Sequence, residues 1–250
     1  MLFNILLFTV LGSIFSLIGG LFLLTRKQLS EQVILILTSF AAGVLLATAF
    51  FDLFPESLES DFKTSTIFSF ALAGIVIFFI FERFFLWYHH HHGSHQGIHP
   101  STILISVGDS IHNFIDGVAI AGAFLVSFPL GIITSIAVAA HEIPQEIADF
   151  SVMLAEKVNK KKIILFNLIS ACSSLIGAIG TYFLAETITG YLPVIIAFTA
   201  GMFTYIASSD LIPELHRSST DKKHEAWQQL SAFLAGIALV FVVKSLLNEG

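Results

Sequence analysis

The sequence predicts an all-α integral membrane protein of eight transmembrane helices. Three observations carry that prediction. Apolar residues make up 55% of the chain and charged residues only 12%, about half the charged share of a soluble domain. Phenylalanine alone supplies 26 residues of the 250, more apolar surface than one soluble core of this size hides. The apolar residues also fall into runs of about 20, the length a helix needs to cross a bilayer, separated by short polar loops.

Taken in order, the runs lie near 2–24, 33–54, 66–88, 101–126, 130–155, 163–185, 191–212 and 228–247. The first is too long for the h-region of a signal peptide, lacks a basic segment before it and ends in Arg26-Lys27, so it reads as a retained span. Lys and Arg set the orientation. Ten of the twelve fall on one side: Arg26, Lys27, Arg83, Lys157, Lys160, Lys161, Lys162, Arg217, Lys222 and Lys223. Only Lys63 and Lys244 fall on the other. The basic side is expected to be cytoplasmic, which puts both termini outside a plasma or inner membrane. The loop after the second span carries Glu56, Glu59 and Asp61, read either as an outward funnel for cations or as a plain solvated loop. The lipid bilayer is the expected solvent, and no nucleic-acid partner is expected. The single Cys172 excludes an intrachain disulfide and a thiolate metal cluster.

The second and seventh spans repeat one another. Phe40–Ser57 and Phe198–Leu215 match without gaps at 8 of 18 positions, including Asp-Leu-x-Pro-Glu at 52–56 and 210–214. Spans five apart cross in opposite directions, so the pattern predicts an inverted repeat, a device of transporters. Spans one to three and six to eight become two halves around central spans four and five, a 3+2+3 arrangement. Each proline ends or bends its helix, and Asp52 and Asp210 become candidate ligands at the entrance and exit of an ion path, or carboxylates at a headgroup boundary.

The central spans carry the chemistry. Span four holds Asp109, His112, Asn113 and Asp116 on one face, with His112 and Asp116 at i,i+4. Span five holds His141, Glu142, Gln145, Glu146 and Asp149, with His141–Gln145 and Glu142–Glu146 at i,i+4. Pro144 frees the carbonyl of Ala140, and Gly117 and Gly122 are expected to let spans four and five approach closely. A charged residue at mid-bilayer costs ~2.5–3.5 kcal/mol even on insertion scales, so five unpaired carboxylates would cost about 15 kcal/mol. No Lys or Arg lies in either span to neutralise them. A cation must, and imidazole with carboxylate and amide oxygen suits Zn²⁺, Fe²⁺, Mn²⁺, Co²⁺ or Cd²⁺. Between spans three and four lies HHHHGSHQGIH, with His89, His90, His91, His92, His95 and His99. It reads as a cytoplasmic loop that chelates metal loosely.

The paired motifs HNFIDG at 112–117 and HEIPQE at 141–146 resemble the signature of the ZIP (zinc- and iron-regulated transporter-like) family. The resemblance covers the whole chain. It implies a single transmembrane transporter domain over 1–250: a three-helix repeat at 1–88, the His-rich loop at 89–100, metal-site helices at 101–156 and a second repeat at 163–247. It further implies Zn²⁺ as the ion moved into the cytoplasm, alternating access between a mobile and a dimerising helix group, and a homodimer. By motif position the metal ligands would be His112, Asn113, Asp116, His141, Glu142 and Gln145, with Glu146 closing the motif. Asp109, Asp149, Asp52, Asp210, His89, His90, His91, His92 and His95 are secondary candidates. Gln145 stands where the family carries His or Glu, and the sixth span offers no carboxylate, so one metal is the expectation at this site. Two other functions compete. An intramembrane metal-dependent hydrolase would use HExxH, but the second His position here is Gln145. A membrane metal sensor built on the His tract leaves the central carboxylates unexplained.

Overall fold

The computed structural model describes residues 1–25, 30–89, 100–217 and 223–248. Every regular element among them is helical. The first apolar run forms α1 (Leu2–Thr9), a π-helical turn (Val10–Ile14) and α2 (Leu17–Thr25). The second forms α3 (Glu31–Thr48), a π-helical turn (Ala49–Leu53) and the short α4 (Phe54–Leu58). The Ser30 hydroxyl caps α3 by accepting from the Val33 amide. Then come α5 (Thr64–His89), α6 (Pro100–Val126), α7 (Phe128–Ala155) and α8 (Lys160–Phe183). Only Ser127 separates α6 from α7, and its hydroxyl caps α7 through the Leu130 amide. The short α9 (Ala185–Ile188) leads through a 3₁₀ turn into α10 (Leu192–Tyr205), a π-helical turn (Ile206–Leu211) and α11 (Ile212–Arg217). The described chain ends with α12 (Lys223–Asn248).

Among the described residues, six helical stretches are long and apolar enough to cross a membrane: Leu2–Leu24, Glu31–Leu58, Thr64–Arg83, Lys160–Phe183, Ala185–His216 and His224–Leu247. The other two long helices, α6 and α7, have 27 and 28 residues and carry the acidic stripes. The chain is thus an all-helical membrane protein, with large apolar side chains such as Phe3, Phe79, Ile176 and Leu246 facing outward.

Glycines mark the close helix crossings. A Cβ on Gly43 of α3 would strike the Phe233 carbonyl of α12, and one on Gly236 of α12 would strike the Phe40 carbonyl of α3. The same reciprocity holds for Gly74 of α5 with Phe198 of α10, and for Gly201 of α10 with Ala71 of α5. A third pair joins α6 to α8: Gly117 meets the Ser174 backbone and Gly177 meets the Phe114 carbonyl. Small residues let backbones approach where lipid gives no hydrophobic drive for association. The expected use of Gly117 and Gly122 between the two central spans is corrected here. Gly117 seats α6 on α8, and the Gly122 position lies 3.7 Å from the Ile195 side chain of α10. Glycine in an apolar helix signals a close neighbour, but the sequence does not say which one. The two Asp-Leu-x-Pro-Glu copies share a local distortion as well, since each Asp lies within a π-helical turn. Such turns concentrate at functional sites.

Candidate metal centre

Helices α6 and α7 pack directly on one another and present their polar faces inward. Four side chains converge: one ligand atom each from His112, Asp116, His141 and Glu142 lies within 4.8 Å of the other three. His141 Nε2 is 3.2 Å from Asp116 Oδ2 and 3.8 Å from Glu142 Oε1. His112 Nε2 is 3.6 Å from each of those carboxylate oxygens. The two Nε2 atoms are 3.0 Å apart. Asp116, His141 and Glu142 are buried, and His112 keeps 13% of its side chain accessible.

Local structure fixes these groups. His141 Nδ1 lies 2.9 Å from the Ala137 carbonyl one turn earlier. A carbonyl only accepts, so Nδ1 carries the proton and the lone pair of neutral His141 sits on Nε2, facing the cluster. Phe203 stands edge-on to the His141 ring at 5.9 Å, and Phe78 edge-on to His112 at 5.7 Å. Among the described residues, no hydrogen bond satisfies the oxygens of Asp116 or Glu142. Two imidazoles and two buried carboxylates with unsatisfied oxygens form a donor set suited to a tetrahedral ion such as Zn²⁺, and leaving such groups unpaired in an apolar interior is costly.

The remaining expected ligands divide. Asn113 Nδ2 and Gln145 Nε2 both donate to Asp109 Oδ1, at 3.0 and 3.1 Å. The amide nitrogens therefore hold Asp109 rather than joining the four converging atoms. Asn113 Oδ1 and both Glu146 oxygens are buried without a hydrogen bond. Asp149 lines the same cavity as His112, His141, Asp109 and Gln145. His90, His91, His92 and His95 lie outside the described residues, as does the side chain of His89, the last residue of α5.

That cavity has a volume of about 570 Å³. Its lining runs from His112 and His141 to Glu82 at the end of α5, Asp210 in the third π-helical turn and Glu214 of α11. Glu82 and Glu214 adjoin Arg83 and Arg217 in sequence, so the cavity leads from His112 and His141 toward those two basic residues. Asp52 does not line it. It is paired with Lys244 Nζ at 2.8 Å. Sequence reasoning missed Glu82 and Tyr205, whose hydroxyl donates to Glu82. A single acid at the end of an apolar run gives no motif. It also missed Phe78 and Phe203, which look like any other aromatic among 26 phenylalanines.

The chain is similar to known proteins. The profile described as ZIP Zinc transporter matches residues 1–102 and 89–244. Human zinc transporter ZIP10 is 40% identical over 151 residues, covering 58% of this chain and 18% of that protein. Zinc transporter zipt-7.2 of Caenorhabditis elegans is 34% identical, covering 59% of the chain and 32% of its own length. Metal cation symporter ZIP14 of Xenopus tropicalis is 35% identical, with 58% and 31% covered. The chain thus spans less than a third of the length of these relatives. With a family profile matched along nearly all of its 250 residues, the chain belongs to the ZIP zinc transporter family.

Proposed function

We propose that this chain transports a divalent transition-metal ion, Zn²⁺ first among them, into the cytoplasm by alternating access. The observation that carries the reading is the convergence of His112, Asp116, His141 and Glu142 within 4.8 Å inside an all-helical membrane protein. The array replaces hydration: two imidazole nitrogens and two carboxylate oxygens offer Zn²⁺ its preferred tetrahedral set and neutralise its charge. Fe²⁺, Mn²⁺, Cd²⁺ and Co²⁺ suit the same donors less selectively.

In this reading α6 and α7 also cross the membrane, giving eight crossings in a 3+2+3 order with both termini outside a plasma or inner membrane. The reciprocal glycine contacts of α3 with α12 and of α5 with α10 support the inverted repeat. The cavity is then the cytoplasmic exit, with Asp109, Asp149 and Asp210 along it. Asn113, Gln145 and Glu146 stand beside the ion, with Gln145 and Asn113 orienting Asp109. Asp52 belongs to the outer entrance. The protein works as a homodimer, and the His tract captures released metal. The relatives carry transporter and symporter names, in keeping with transport rather than hydrolysis or sensing.

The test is zinc flux into proteoliposomes. The purified protein takes up zinc, and His112→Ala/His141→Ala inserts normally but takes up none. Undiminished flux through the double variant would sink the assignment.

A further inference from the structure

The two repeat copies differ in charge at one corresponding place. The alignment that places Phe40 on Phe198 also places Gly43 on Gly201 and Asp52 on Asp210. The helices that receive those glycines correspond too. Leu-Ala-Gly-Ile recurs at 72–75 and 234–237, placing Gly74 on Gly236 and, eight residues further, Glu82 on Lys244. The contacts obey this correspondence, since α3 crosses α12 at Gly43 and Gly236 while α10 crosses α5 at Gly201 and Gly74. The partner of Asp52 across one crossing is a lysine, and the residue in the equivalent place near Asp210 is a glutamate.

The consequences are visible in the bonding. Lys244 Nζ sits 2.8 Å from Asp52 Oδ1 and donates to the Phe51 carbonyl at 2.5 Å. That carbonyl lies four residues before Pro55, which has no N–H to offer it. One ammonium therefore neutralises the buried acid and caps the oxygen that the proline leaves unserved. Asp52 is only 4% exposed, although its Oδ2 forms no hydrogen bond. At the other copy Asp210 is exposed and lines the cavity together with Glu82. Ser209 Oγ donates to Asp210 at 2.8 Å, and Tyr205 donates to Glu82. An ionised Glu82 has no hydrogen to give the Ser209 carbonyl, four residues before Pro213, as Lys244 gives one to Phe51. Unlike charges hold one end of the bundle together, and like charges at the equivalent place face an open cavity.

We propose that Lys244 is a positioning residue of the transport cycle: its ammonium seats on Asp52 and the Phe51 carbonyl and latches the α3 end shut, so Asp52 is reached only when that pair breaks. The proposal rests on the alternating-access reading above. It places the latch on one charge that breaks the symmetry of the repeat. It also adds a role for the acid expected at the entrance: until released, that acid is occupied by a tethered cation of the protein itself.

The experiment reads accessibility and requires no transport. In a Cys172→Ser background, Thr48→Cys serves as reporter, because Thr48 is fully buried one turn before Asp52 with its hydroxyl unbonded. The full chain is placed in nanodiscs, where both faces are open, and reacted with a charged maleimide. Lys244→Met is expected to raise the labelling rate about tenfold or more, as the latched population gives way. The charge swap Asp52→Lys/Lys244→Asp is expected to restore slow labelling to within about threefold of the parent. Equal rates in the parent and Lys244→Met overturn the latch, and so does a charge swap that labels as fast as Lys244→Met. A protein that moves no zinc still answers this test, and a latch that fails leaves the His112 and His141 result standing.

Discussion

Two polar groups sit within one turn of each other on α6 and α7, and they are built on different principles. In the first, His112, Asp116, His141 and Glu142 turn their ligand atoms toward one point, and the oxygens of both acids lack hydrogen bonds. In the second, Asp109 accepts from both the Asn113 and Gln145 amides. The first group's carboxylates have no hydrogen-bond donor among the described residues. The second already has neutral donors on its carboxylate and is nearer to a self-satisfied network. Residue type alone would make both groups ligand clusters. What separates them is whether the protein supplies the partners.

The two groups part most sharply at His141. His141→Ala removes a ligand held by the main chain, and zinc affinity measured by calorimetry is expected to fall on the order of a hundredfold or more, beyond the 10–100-fold seen for groups that merely support ligands. Retained affinity would move the ion away from the first group. Next in size is ligand-linked stability. Zinc at about 100 times its dissociation constant is expected to stabilise the parent by about 2.7 kcal/mol in detergent unfolding, and to leave His112→Ala/His141→Ala unmoved. Asp109→Ala tests the second group: stability should fall by about 1–3 kcal/mol because two amides lose their acceptor, while zinc stoichiometry stays at one. The smallest effect is expected from Gln145→Ala, which removes one donor and costs about 1 kcal/mol. If Gln145→Ala matched His141→Ala in lost zinc affinity, the amide would have to count as a ligand.

The sequence made the first group readable because i,i+4 spacing places His112 with Asp116 on one face, while His141 and Glu142 open the second motif. It did not reveal how the stripes meet. Gln145 and Asp109 are 36 residues apart, and nothing local says that the amide nitrogen of one will find the carboxylate of the other. The repeat was legible where Asp-Leu-x-Pro-Glu recurs, but its partner helices match mainly through Leu-Ala-Gly-Ile, which apolar helices can share by composition. Glu82 and Lys244 acquire meaning only once Gly74 and Gly236 are known to occupy equivalent crossings. The glycines show the same limit, since Gly117 announced a close approach but its partner proved to be α8.

The single residue between α6 and α7 has a mechanical consequence. Ser127 both joins and caps the hairpin, and all four converging ligand atoms project from its two arms. A linkage that short leaves the arms almost no freedom to slide past one another. The spacing of the four ligand atoms is therefore set by the hairpin itself. In the transport reading proposed above, an ion held there would ride on a single lever, and its passage time would follow the swing of that lever.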